Sequence, residues 1–258
     1  MVSTKCDRIA EWFISNYKTW VKDNRLLSWS QTLGINLNKD GAIDNNQLFH
    51  LFVLAVLWNN GKTANAELGE RIFEKIRSEY TLDNFAKAAE NTSLADKLRN
   101  IDKDLTNPEV FNLLSYLASG KRHQIPVWQE IKNILNAPNI GDREYDIARL
   151  TTLYNIFNKP RNYGFAYLTV KAFLIFREIR IQFQRDHKYQ YNPAICCIPD
   201  RHVRLALKEL DMITNSDSKD IGSLITLGAI VAENFCLEKY ELYDLPLFFW
   251  DKKHGPAV

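Results

Sequence analysis

Apolar residues recur every three or four positions through most of the chain, and that spacing predicts helices rather than strands. In residues 5–23, Ile9, Trp12, Phe13, Tyr17 and Trp20 fall on one side of a helix. Residues 29–42 are polar and turn-like. Asp44, Asn45 and Asn46 then offer N-cap side chains for a helix over 47–58 that is apolar almost throughout. An amphipathic helix follows over 64–77. Another runs from Thr81 or Asp83 to Glu90, with shorter ones near 94–100 and 108–118.

The second half continues in the same way. Gly120, Lys121, Arg122 and His123 form a basic loop before a helix from Ile125 to Leu135, and 136–141 is a linker. Asp142 caps a helix over 143–157 with Ile147, Leu150, Tyr154 and Phe157 in one stripe. A tight connection ends at Gly164. The helix after it, 165–184, is apolar early and basic late, so Arg177, Arg180 and Arg185 read as a solvated face. Residues 189–199 read as extended, followed by helices over 201–211 and 220–238 and an aromatic end, Phe248, Phe249 and Trp250. The fold class is all-α.

A chain of 258 residues that is 46% hydrophobic can bury a sizeable core. Its net charge of +2 argues against a protein that holds nucleic acid by charge alone, though a local basic face is compatible with it. No signal peptide is expected, and no apolar run reaches the roughly 18 residues that span a bilayer. Cys6, Cys196, Cys197 and Cys236 are too scattered for a disulfide framework, a zinc site or an iron–sulfur cluster. Cys196 and Cys197 read as small buried hydrophobes. A cytoplasmic monomer with no cofactor and no metal is expected.

The candidate chemistry lies in two helices joined by Lys159, Pro160, Arg161, Asn162, Tyr163 and Gly164, followed later by Ile198, Pro199, Asp200, Arg201, His202, Val203 and Arg204. A hairpin leading into a helix N-terminus presents backbone N–H groups that can hold a phosphate. An Asp opening a later helix can stabilise positive charge on a sugar, although the same Asp also serves as an ordinary N-cap.

With Leu207 and Leu210 after it, the run from Asp200 to Arg204 resembles the aspartate-bearing helix of the helix-hairpin-helix DNA glycosylase superfamily. Leu51 to Leu57, then Trp58, Asn59, Asn60, Gly61, Lys62 and Thr63, are similar to that family's buried early helix and the loop that enters the base stack. Phe173 to Arg180 are similar to the helix after its hairpin. The resemblance covers most of residues 45–212.

It implies two helical lobes around a cleft with a helix-hairpin-helix element. Residues 1–44 and 161–258 would form one lobe, and 45–160 the other. It implies Asp200 as the catalytic carboxylate. DNA or substrate contacts would come from Asn59, Asn60, Lys62, Arg161, Asn162, Tyr163, Gly164, Phe165, Arg201 and His202. The family's hairpin usually carries two glycines, whereas here Arg161 stands near the place of the first. Bifunctional members carry a nucleophilic lysine just after the hairpin. That place falls at Ala166 counted from Gly164, or at Val170 aligned on Arg177 and Glu178, and Lys171, the nearest lysine, is the remaining candidate for the catalytic nucleophile. A monofunctional DNA base-excision N-glycosidase is therefore implied. The C-terminal stretch from Glu233 through Asp251 also looks like the tail of the queuosine-salvage nucleotide glycosidases, which makes a modified nucleotide the alternative substrate. A noncatalytic DNA-binding helical protein is the third reading.

Overall fold

The computed structural model describes residues 2–18, 21–22, 25–26, 28–39, 42–57, 66–89, 121–122, 125–137, 142–158, 169–183, 187–214, 220–235, 242–253, 255 and 257. The fold is all-helical. In chain order the helices are α1 (Val2–Asn16), α2 (Trp29–Thr32), α3 (Asn45–Leu57), α4 (Ala66–Glu79), α5 (Leu82–Ala89), α6 (Val127–Asn136), α7 (Arg143–Asn158), α8 (Thr169–Gln182), α9 (Pro193–Cys196), α10 (Arg201–Glu209), α11 (Ile221–Phe235) and α12 (Leu245–Lys253). Among the described residues, strands occur only as two-residue antiparallel pairs: Val21–Lys22 with Arg25–Leu26, Asn38–Lys39 with Ala42–Ile43, and Lys121–Arg122 with Ile125–Pro126. None of the described helices is long and apolar enough to cross a membrane.

Several boundaries follow from local side chains. Asp44 Oδ1 accepts from the Asn46 and Gln47 N–H groups, both at 2.9 Å, and starts α3. Thr81 and Asn84 cap α5 reciprocally: Asn84 Oδ1 accepts from Thr81 N–H at 2.6 Å and Thr81 Oγ1 from Asn84 N–H at 3.4 Å. Asp142 Oδ1 accepts from Glu144 N–H at 2.8 Å at the start of α7.

Other boundaries depart from the sequence pattern. The helix expected through residue 23 ends at Asn16, whose Nδ2 donates to the Trp12 carbonyl at 2.8 Å. Tyr17 then stacks on Phe13 at 5.3 Å and lies tilted against Phe249 at 4.4 Å. The basic loop at 120–123 supplies one strand of a ribbon. Pro126 holds Ile125 extended, so α6 starts two residues later than periodicity suggests. Within the stretch read as extended, Asn192 accepts from Ala194 N–H and Pro193 occupies the first turn, which gives the one-turn helix α9.

The chain divides into two compact units, one of residues 1–32, 139–151 and 172–258, the other of 33–138 and 152–171. In the second unit α3 is the centre. Leu48 to Leu57 are buried on every side, as an apolar helix must be. The α3 helix packs against α4 and α5, with Phe49 meeting Phe85 at 5.1 Å and Phe52 meeting Trp128 of α6 at 5.4 Å.

In the first unit α9 packs on α11, α10 on α12, and α1 on both α11 and α12. The backbones of α9 and α11 approach closely at Gly228 of α11. A Cβ there would overlap the Ala194 carbonyl oxygen and stand 3.5 Å from the Cys197 carbonyl oxygen. Gly→Ala inside a helix ordinarily stabilises by about 1 kcal/mol. Here overpacking reverses the sign, so Gly228→Ala should lose roughly 1–3 kcal/mol in denaturant unfolding. A more stable variant would show that α9 and α11 are not in contact at this point.

Candidate functional site

The site begins with a helix start. Pro199 biases Ile198 towards extended backbone, and the turn closes with Asp200 N–H donating to the Ile198 carbonyl at 2.9 Å. Asp200 itself is extended (φ −71, ψ −178), and its Oδ1 accepts from Val203 N–H at 2.8 Å, which makes it the N-cap of α10. Arg204 closes the first turn, its N–H reaching the Asp200 carbonyl at 3.0 Å. Val203, Ala206 and Leu207 are buried and fix the rotation of the helix. Arg201 is exposed, while Asp200 and His202 are half-buried.

Behind Asp200 lies a buried ion pair. Arg177 of α8 donates through one guanidinium nitrogen to both carboxylate oxygens of Asp244, at 2.9 and 3.0 Å. Both side chains are about 5% exposed. The same Asp244 Oδ1 accepts from Ile198 N–H at 3.0 Å. On the other side of the guanidinium, Arg177 stands 3.5 Å from Glu178 Oε1. Glu178 Oε2 in turn accepts from Ser28 Oγ, from Ser30 N–H at 3.0 Å and from Ser30 Oγ at 2.7 Å. The network thus ties the start of α2, α8, the Ile198 turn and the start of α12 into one polar core. Burial opposes the Arg177 charge, but Asp244 and Glu178 outweigh it and raise the guanidinium further above its ordinary range.

Asp200 feels the opposite balance. Burial raises its carboxyl from an ordinary 3.8 to about 6, the charge of Asp244 adds to the rise, and the N–H of Val203 and the nearby His202 oppose it. A carboxylate at a helix N-terminus is normally stabilised by the dipole. Desolvation wins here. His202 Nδ1 meets Asp251 Oδ2 at 2.7 Å, and its ring stands edge-on to Phe248 at 5.2 Å.

The structure therefore brings Asp200, Arg201 and His202 together at the start of α10. Lys171 lies on α8, is 5% exposed, and belongs to the second compact unit, whereas Asp200 belongs to the first. Asn59, Asn60, Lys62, Arg161, Asn162, Tyr163, Gly164 and Phe165 lie outside the described residues, and so does Arg185. The expectation of a solvated arginine face fails at Arg177, which is 4% exposed. At Arg180 it fails in part, since Nε donates to Tyr243 Oη at 2.8 Å and another nitrogen to the Tyr191 carbonyl. Cys196 and Cys197 are buried. The residues that sequence reasoning missed are Arg177, Glu178, Asp244 and Asp251. A polar pair inside the apolar run 172–179 was the available signal for the first two. Among the described residues no group of three or more His, Cys, Asp or Glu side chains could hold a metal ion. No protein-family model, curated protein or solved structure matches the chain.

The raised carboxyl has a thermodynamic consequence. Because Asp200 is protonated more readily folded than unfolded, its contribution to stability is full below 3.8 and is lost as pH rises through about 6. The bound on this loss is about 3 kcal/mol, and the partial exposure of the group reduces it. Asn caps a helix about as well as Asp. Asp200→Asn should therefore raise stability at pH 7–8 by on the order of 1–2 kcal/mol relative to the parent, with the difference vanishing near pH 4. Thermal unfolding across that range checks it. An equal or lower stability at pH 8 would mean that Asp200 is only a cap.

Proposed function

We propose that the protein is a DNA base-excision N-glycosidase that cleaves the bond between sugar and a damaged or noncanonical base. The observation that carries the reading is the half-buried Asp200 carboxylate, fixed at the N-terminus of α10 and backed by Asp244. The reading includes the helix-hairpin-helix architecture, with two lobes and a cleft, that the sequence resemblance implies.

Enzymes that act on a base take it out of the stack and hold it in a pocket. As the glycosidic bond breaks, positive charge develops on the sugar ring. Ionised Asp200 stabilises that charge and orients the attacking water. A carboxylate held by a backbone N–H needs no reorganisation at that moment, which is the advantage of preorganised charge. Its desolvation strengthens the interaction further. A lyase step needs a deprotonated amine within bonding distance of the sugar. Lys171 sits in the buried run 171–179 of α8, so base release leaves the strand intact until alkali is added.

The second reading, a nucleotide N-glycosidase, has one observation in its favour. Asp244, in the tail that looks like that of the queuosine-salvage enzymes, accepts from Ile198 N–H in the turn that leads to Asp200. The same carboxylate chemistry serves a free nucleotide.

A panel of lesion-bearing single- and double-stranded oligonucleotides, run beside modified nucleoside monophosphates, tests both readings through base release with and without alkali. Release from one oligonucleotide class is expected, abolished in Asp200→Asn while substrate affinity stays within a few-fold. Because the ionised form acts, the rate should fall about tenfold per pH unit below a midpoint near 6. Full activity of Asp200→Asn would remove the carboxylate from the mechanism, and release from nucleotides alone would favour the second reading.

A further inference from the structure

We infer that Asp244, at the N-terminus of α12, is a positioning residue for Asp200, holding the turn that delivers it to the start of α10. For its chemical meaning the inference rests on the glycosidase reading. The geometry is a single oxygen with two duties. Asp244 Oδ1 accepts from Arg177 at 2.9 Å and from Ile198 N–H at 3.0 Å. Arg177 fixes the carboxylate from α8, and the carboxylate fixes Ile198, which lies two residues before Asp200. Between them stands Pro199, which restricts Ile198, so little slack separates the anchored N–H from the cap. The turn is closed by Asp200 N–H on the Ile198 carbonyl at 2.9 Å. Each link is a buried or half-buried hydrogen bond, so displacing Asp244 displaces the cap.

Asp244 also acts through charge. Its carboxylate disfavours ionisation of Asp200, in the same sense as burial. On the elements that meet near Asp200, the other charged groups include Arg201, His202 and Arg204 in the first turn of α10, Arg177 and Glu178 on α8, and Asp251 of α12, which is bonded to His202; of these, His202 favours the ionised Asp200. Arg177 is already engaged by two carboxylates, Asp244 and Glu178, which limits the attraction it can offer Asp200. Asp244 is therefore the like charge that acts on Asp200.

Two substitutions separate anchor from charge. Asp244→Asn keeps an oxygen for Ile198 and Arg177 but removes the charge, and Arg177 retains Glu178 as counter-ion. Asp244→Ala removes both. Carboxyl-detected NMR titration, with Asp200 assigned by its own Asn variant, reads the coupling directly. In the unsubstituted protein the Asp244 carboxyl signal is expected to show an inflection at the Asp200 midpoint near pH 6. In Asp244→Asn the Asp200 midpoint should fall by about one unit, with the acidic limb of base release moving by the same amount. Ile198 amide protection should persist in that variant and drop at least tenfold in Asp244→Ala, with kcat at pH 8 falling more than KM changes.

Ile198 protection and kcat unchanged in Asp244→Ala, an Asp244 signal without the inflection, or an Asp200 midpoint and rate profile unmoved in Asp244→Asn would overturn the proposal. Should Asp244→Asn not fold, the titration of the unsubstituted protein decides by itself. Base release by that protein on the substrate panel judges the glycosidase reading separately, because the NMR coupling does not depend on any substrate.

Discussion

The ion pair between Arg177 and Asp244 is the constraint on which the candidate site depends. A guanidinium and a carboxylate, both about 5% exposed, cannot be left alone in a protein interior. Each must find partners, and satisfying them brings together three stretches of sequence. Asp244 takes the Ile198 N–H, and Glu178 beside Arg177 takes Ser28 and Ser30. Hydrophobic burial alone would allow α8, α12 and the Ile198 turn to slide by a fraction of a turn. The directional bonds remove that freedom, and Asp200 inherits the precision.

The same arrangement explains why Asp200 is costly where it stands. Helix caps are cheap when they face water, because the dipole and solvent both favour the charge. Asp200 keeps the cap bond to Val203 yet is half-buried and feels the charge of Asp244, so its carboxyl is raised to about 6. Perturbed carboxyls of this kind concentrate at functional sites, where stability is traded for reactivity. His202, in the first turn of α10 and paired with Asp251 of α12, adds a second polar group beside Asp200.

Much of the helical frame was legible in the chain. Asp44, Asp142 and Asp200 are capping residues placed immediately before apolar periodicity, and each caps in the structure. The burial of α3 follows from an apolar run that no amphipathic helix shows. Less legible were features set by tertiary partners. The apolar run around Arg177 hints that it is buried, but its partner lies 67 positions away and nothing local identifies it. Arginine at that spacing reads equally well as a solvated face. The one-turn helix α9 is too short for periodicity to register, although its Asn192 and Pro193 were visible as a cap and a first-turn proline. Of the candidate site, Asp200 was legible as a cap with chemistry. Asp244 was not, since its role depends on Ile198 arriving from another part of the chain.

The most direct test of this account is the thermodynamic coupling between Arg177 and Asp244, measured by denaturant unfolding of Arg177→Met, Asp244→Leu and the double variant. Removing one partner leaves the other charged and buried, so each single variant should lose about 3–5 kcal/mol. The double variant replaces the pair by apolar side chains and should recover a large part, giving a coupling of at least about 2 kcal/mol. Single variants that each lose less than about 1 kcal/mol and add without coupling would contradict the account, because the pair would then be solvated and would organise nothing around it.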